Sequence, residues 1–194
     1  MGIKGKMVRW EVIAKLLKDK NPKVGAEIGI QRGHTTVGVL SLLPSIEIYY
    51  AIDPWLSYDV IDYRTPKSNI YNQQRVDGYF ETFKEKSSKW KDKIEILRMV
   101  SSEAYVHIPD ESLDFCFIDG NHDYEYVKED IQLYLPKMKK GGLFGGHDYE
   151  NDDDYGCRDW GVKEAVIEYF GKGNFFTRDD YTWWVWVKEN KNEM

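Results

Sequence analysis

The sequence predicts an α/β fold, a mostly parallel sheet with helices on both faces and one antiparallel strand near an edge. Three observations lead there. Apolar runs of strand length alternate with longer segments whose apolar residues recur at helical spacing. The chain then finishes in two aromatic-rich runs joined by Arg178-Asp179-Asp180, a hairpin pattern. Finally, polar residues able to do chemistry fall just past the ends of five successive strands, where ligands bind in open parallel sheets.

Taken in order, Val8, Val12, Ile13, Leu16 and Leu17 mark a first helix that stops before Asn21-Pro22. Lys23 to Ile28 reads as a short buried strand. After a glycine-bearing loop, Val37, Val39, Leu40, Leu42 and Leu43 form a second helix that ends at Pro44. Ile46 to Ile52 is the second strand, closing on Asp53-Pro54-Trp55. The Tyr-rich, Pro-broken stretch Leu56 to Asn69 reads as an insertion over the site, where substrate choice is expected to lie. Ile70 to Trp90 is a long polar helix with Val76, Tyr79, Phe80 and Phe83 inward, followed by a third strand, Ile94 to Met99. Ser101, Ser102 and Glu103 sit just past it, where one reading makes them a helix cap in front of Ala104 to His107. Leu113 to Ile118 is the fourth strand. The next helix sets Tyr124, Val127, Ile131, Tyr134 and Leu135 on one face and ends at Pro136. Gly141 to Tyr149 reads as a turn, a fifth strand and a polar tip. An acidic loop (Asp152, Asp153, Asp154) leads to Asp159, the expected cap of a helix from Val162 to Phe170 that Gly171 closes. Phe175-Phe176 and Tyr181 to Val187 are the last strands.

Composition narrows the class. With 42% apolar and 15% aromatic residues the chain can build one sizeable core, so residues 1–194 are expected to form a single domain. A net charge of -6 and a pI near 5.3 argue against a nucleic-acid partner. The one basic stretch, Lys84 to Lys93, reads as the solvated face and end of a helix. No run of 18 apolar residues and no signal-peptide core occurs, so a cytoplasmic protein without a membrane partner is expected. Cys116 and Cys157 have no metal-ligand spacing.

Val24 to Thr36 reads Val-Gly-Ala-Glu-Ile-Gly-Ile-Gln-Arg-Gly-His-Thr-Thr. Gly29 and Gly33 remove Cβ atoms where the chain turns and a ligand comes close, while the helix start offers unpaired N–H groups to an anion. A dinucleotide site usually has Gly-x-Gly-x-x-Gly. Here the form is Gly-x-Glu-x-Gly-x-x-x-Gly, and Glu27 would repel a pyrophosphate but balance a cationic ligand. Asp53, about 20 residues past the loop at the end of the second strand, is placed to accept hydrogen bonds from ribose hydroxyls.

The Glu-x-Gly-x-x-x-Gly form resembles the first motif of class I S-adenosylmethionine-dependent methyltransferases. That resemblance covers nearly the whole chain and implies a Rossmann-like methyltransferase fold, seven strands in the order 3-2-1-4-5-7-6. It also implies S-adenosylmethionine as cofactor, with Glu27 or Asp53 on the ribose and the loop residues Gly29, Gln31, Gly33 and Thr35 on the methionine end. Ser101 and Ser102 would meet the adenine, and Asp119 would wall the pocket. The stretches Phe117-Ile118-Asp119-Gly120-Asn121-His122-Asp123-Tyr124 and Gly145-Gly146-His147-Asp148-Tyr149 look like the small-molecule O-methyltransferase branch that includes sugar and macrolide-sugar enzymes. More distantly they are similar to catechol and caffeoyl-CoA O-methyltransferases. In those relatives an Asp at the end of the fourth strand binds a divalent metal and the residue three positions on is a base; here these are Asp119 and His122. The relatives' fifth-strand acid pair falls on His147 and Asp148. His147 is a departure, since hard cations prefer oxygen ligands. Asp119, His147 and Asp148 are the expected metal set if a divalent cation, Mg or another, is used.

The expected reaction is methyl transfer to a hydroxyl of a small molecule, a sugar among the candidates. The donor's leaving group is neutral, so the enzyme must chiefly place the acceptor oxygen and remove its proton. His122, with an ordinary pKa of about 6.5, could take that proton at neutral pH. Two other classes stay open: a nicotinamide-dependent oxidoreductase, against which Glu27 and the glycine spacing speak, and a catalytically silent cofactor-binding module. Nucleic-acid methylation lacks its Asn/Asp-Pro-Pro-aromatic motif, and a homo-oligomer is possible on this reading.

Overall fold

The computed structural model describes residues 7–57, 72–150 and 161–188. Most of the expected insertion, the acidic loop, Cys157 and the expected cap Asp159 lie outside the described residues. Helix α1 (Arg9–Leu17) leads into β1 (Val24–Ile28), α2 (His34–Leu42) and β2 (Ile48–Ile52). Then come α3 (Gln73–Ser87), β3 (Ile94–Leu97), the short α4 (Ser101–Ala104) and β4 (Leu113–Ile118). Helix α5 (Tyr124–Tyr134), β5 (Met138–Gly146), α6 (Val162–Phe170) and the hairpin β6 (Phe176–Thr177) and β7 (Trp183–Trp186) complete it.

The strands form one seven-stranded sheet in the order β3-β2-β1-β4-β5-β7-β6. The first five are parallel, and β7 runs antiparallel to both neighbours. Fold class and strand order are thus as expected. The central strand β4, Leu-Asp-Phe-Cys-Phe-Ile, shows why: a strand covered by helices on both faces reads as a nearly continuous apolar run. Phe115 and Phe117 pack with Ile13, Val39 and Phe83 on the α1–α3 side, whereas Cys116 and Ile118 pack with Ile131, Ala165 and Trp183 on the other. Among the described residues no helix is long and apolar enough to cross a membrane.

Three boundaries differ from expectation for local reasons. Helix α3 begins at Gln73 because the Asn72 side chain caps it, accepting from the Arg75 N–H at 2.9 Å. Ser101 is the first residue of α4 and not its cap, which is Val100. The expected turn at Gly141-Gly142 is a bulge within β5: Leu113 pairs with Met138 but Phe115 with Leu143, and Gly141 absorbs the extra chain at φ 75.

What positions the site is a row of backbone bonds at the carboxyl edge of the sheet. The N–H of Asp53 donates to Leu97 (3.2 Å), that of Gly29 to Ile52 (2.9 Å), that of Asp119 to Ile28 (2.7 Å) and that of His147 to Ile118 (3.0 Å). Each donor lies one residue beyond its strand, so the ladder runs into the loops and fixes their first residues. Gly29 is needed there: its φ is 88, and a Cβ would stand 2.1 Å from the Asp119 carbonyl oxygen. At Gly33, φ 72, an added Cβ would instead meet the Phe83 ring at 2.4 Å. Both Ala variants bear the left-handed cost of about 1–2 kcal/mol. Gly29→Ala must also displace backbone in the central ladder, so urea unfolding should show it to be the more destabilising of the two; equal losses would contradict this account of the edge.

Candidate active site

The glycine loop is tied to β2 by Asp53. Its Oδ2 accepts the N–H groups of Ile30 (3.0 Å) and Gln31 (2.9 Å), and its Oδ1 that of Trp55 (2.7 Å). Trp55 returns the bond, donating Nε1–H to the Gln31 carbonyl at 2.9 Å, and stacks in the core on Phe83 with ring centroids 5.3 Å apart. Gln31, at φ 50, is therefore gripped from both sides. Burial raises the Asp53 carboxyl above its ordinary pKa, and the three backbone donors oppose the rise. A carboxylate has roughly four acceptor positions, so about one is left for a ligand.

Glu27 faces the other way. It is 1% exposed, and its Oε2 accepts from the hydroxyls of Thr36 and Tyr49, both at 2.6 Å. Burial pushes its pKa up to about 8 against those two bonds, so at neutral pH it is largely protonated. In this arrangement Glu27 is an internal brace between β1, α2 and β2. Thr35 is likewise buried at the start of α2, while Gln31 is exposed on the loop.

Across the loop, Asp119, His122 and Asp148 come together. His122 Nε2 lies 2.8 Å from Asp148 Oδ2 and 3.9 Å from Asp119 Oδ1. The loop carrying His122 is held by a bond from the Gly161 N–H to the His122 carbonyl and by an Asx turn, the Asp123 N–H donating to Asn121 Oδ1. Asp148 sits at φ 62, a conformation Asp tolerates better than most residues. Burial pulls His122 down, but Asp119 and Asp148 outweigh it and raise it to about 9. Burial pushes Asp148 up, and His122 and His147 more than reverse that, leaving it well below the carboxylate range. The imidazole expected to titrate near 6.5 is thus a cation between two anions at neutral pH.

One ligand atom from each of Asp119, His122 and Asp148 lies within 4.8 Å of the others, and two carboxylates with an imidazole suit a divalent transition metal. The cluster includes His122 in the place where His147 was expected. His147 stands behind it, Nδ1 at 3.1 Å from Asp148 Oδ1 and its ring edge-on to Tyr181. Ser102 is exposed, while Ser101 turns its hydroxyl to Asp130 of α5 and accepts from the Tyr134 hydroxyl on its carbonyl at 2.9 Å.

Two contributors escape a linear reading. Arg9, the first residue of α1, donates from Nη1 to Asp119 Oδ2 at 2.6 Å across a separation of 110 residues. Nothing local marks it apart from its place at a helix start. Trp55 could have been noticed as a large apolar residue two positions after the strand-end acid.

A parallel sheet of this order with a glycine turn after β1 and acids after β2, β4 and β5 defines a class I methyltransferase architecture. Residues 26–149 match a family described as a methyltransferase domain; the match covers more than half of the chain, which belongs to that family. The expected class of methyltransferase stands. No curated protein is significantly similar in sequence. Among solved structures, the chain is similar to an O-methyltransferase from Bacillus cereus in complex with SAH, at TM-score 0.65 and 14% identity over 93% of this chain and 80% of that one. It is similar too to the O-methyltransferase TomG from Streptomyces achromogenes in complex with SAM (TM-score 0.63, 12% identity, 92% and 79% covered). A spermidine synthase from Thermotoga maritima shares the architecture more loosely, at TM-score 0.51 and 17% identity, covering 84% of this chain and 51% of that one. At such identities these likenesses establish the fold alone.

The brace made by Glu27 has a measurable signature. Its folded pKa is raised, so its contribution to stability is complete below about pH 4.5 and is lost as the pH rises through about 8. Glu27→Gln keeps the shape of the neutral carboxyl and removes that loss. The melting temperature of the variant relative to wild type should therefore climb between about pH 5 and about pH 8.5. A difference that stays flat would mean that Glu27 is not buried in its protonated form.

Proposed function

We propose that the protein is an S-adenosylmethionine-dependent O-methyltransferase acting on a hydroxyl of a small molecule, a sugar being the acceptor class to which its strand-four and strand-five motifs point. The observation that carries this reading is the Asp119–His122–Asp148 cluster at the ends of β4 and β5, next to the glycine loop after β1. Two similar structures, both of O-methyltransferases in complex with SAM or SAH, agree with it.

S-adenosylmethionine, when bound, supplies a methyl group on a sulfonium whose departure leaves a neutral thioether. Gly29 and Gly33 let the loop backbone approach that ligand, and Asp53 offers its remaining acceptor position to the ribose while holding the loop in shape. His122 Nε2 takes the acceptor's proton, and Asp148 and Asp119 stabilise the imidazolium that results. Its raised pKa makes it a strong base that is scarce at neutral pH in its free form. Asp119, His122 and Asp148 could also hold a divalent cation, which would lower the pKa of the acceptor hydroxyl. His147, bonded to Asp148, orients that carboxylate in either case.

His122→Ala separates this reading from simple binding. Calorimetry should show S-adenosylhomocysteine bound by wild type and variant alike, with no affinity for NAD. Single-turnover transfer to a hydroxyl acceptor should fall by about 10²- to 10⁴-fold in the variant. A rate within a few-fold of wild type would remove His122 from the chemistry, and binding of NAD in preference to the sulfur ligand would overturn the activity itself.

A further inference from the structure

Asp119 has a different neighbour at each oxygen. Its Oδ1 faces His122 at 3.9 Å, within the cluster whose donor atoms could hold a cation. Its Oδ2 accepts from Arg9 at 2.6 Å. The Asp119 carboxyl is only 12% exposed, whereas the Arg9 side chain, at 32%, lies on the rim with water on one side. Arg9 also sits at the very start of α1, where Val8 is the cap and Glu11 folds back to accept the Val8 N–H at 3.1 Å. The helix therefore delivers the guanidinium from a fixed point, and the side chain beyond that point is long enough to leave the carboxylate without moving the helix.

We propose that Arg9 is a built-in counterion that competes with a divalent cation for Asp119, so that a cation binds fully only when the guanidinium swings away. This rests on the reading of Asp119, His122 and Asp148 as a cation site. Magnitudes favour competition over support. A partner bonded to a metal ligand can strengthen a site by orienting it, typically by about 10- to 100-fold in affinity. Arg9, however, brings a full positive charge to the oxygen next to the one that would bind. A monovalent and a divalent cation roughly 5 Å apart repel one another, and the shared carboxylate cannot neutralise both. A guanidinium also draws electron density from the carboxylate that it pairs with, which makes the remaining oxygen a poorer ligand. In the absence of a cation the same contact does useful work, because it compensates one of two carboxylates crowded at the ends of β4 and β5.

The test is Mn²⁺ binding to the full chain, followed by electron paramagnetic resonance of the free ion and by calorimetry. Arg9→Gln should bind Mn²⁺ about tenfold or more tightly than wild type, and Arg9→Lys, whose ammonium can still reach Asp119, should stay close to wild type. Asp119→Asn should abolish the gain in the Arg9→Gln background, which ties it to this site. In wild-type protein, the NMR signal of the Arg9 Nε–H should shift on titration with Mg²⁺, as the guanidinium changes partner. Equal or weaker Mn²⁺ affinity in Arg9→Gln would overturn the competition while leaving the cation site standing. Failure of both proteins to bind Mn²⁺ would overturn the cation site, and the competition with it. Should Arg9→Gln fold poorly, the Mg²⁺ titration of wild type decides alone, an unmoved Arg9 signal with cation bound counting against the proposal.

Discussion

Four backbone N–H groups, each one residue past a strand, hold the carboxyl edge of this sheet together, and everything chemical hangs from them. They belong to Asp53, Gly29, Asp119 and His147, and they bond to the last carbonyls of the neighbouring strands β3, β2, β1 and β4. A side chain that leaves the ladder at such a point has its origin fixed by the central strands, the stiffest part of the fold. Asp53, Asp119 and Asp148 are thereby presented along one edge, and a ligand lying across it meets prearranged groups. The glycine at the β1 end is part of this constraint, because only a residue without Cβ lets β1 and β4 stay in register beneath the loop.

The acids at that edge divide the labour by the partners each one meets. Glu27 is inside, protonated in large part, and serves the fold by receiving two hydroxyls. Asp53 lies between, with three of its acceptor positions given to the loop backbone and little left for a ligand. Asp119 and Asp148 meet cations, Arg9 and His122, with His147 behind Asp148. One type of group, the carboxyl, thus acts as brace, hinge pin and site according to the partners that surround it, since a buried carboxyl is kept neutral or must be met by donors or cations.

Much of this was legible in the chain. Leu113 to Ile118 could be read as a buried strand to the residue, since a run of five apolar residues broken only by Asp114 ends abruptly in Asp-Gly-Asn-His. The carboxyl-edge residues were legible for the same reason: a polar side chain straight after an apolar run has to lie at a strand end. What could not be read was the inward or outward choice made by each. Glu27 looks like a ligand-facing acid until Thr36 and Tyr49 are seen to reach it from two other elements. His122 looks like an ordinary imidazole until two carboxylates, one of them 26 residues on, close around it; the positions of His122 and Asp148 give that spacing. The bulge in β5 hid behind a glycine pair that reads equally well as a turn, and Arg9 lay 110 residues from its partner. Each miss is a contact between elements distant in sequence, which local pattern does not encode.

The most direct measurement is a crystal structure with S-adenosylhomocysteine bound. The account predicts the nucleoside across the ends of β1 and β2, one ribose hydroxyl on Asp53, and the sulfur directed at the space before His122 and Asp148. A ligand lying away from that edge, or one whose sulfur points away from His122, would contradict it.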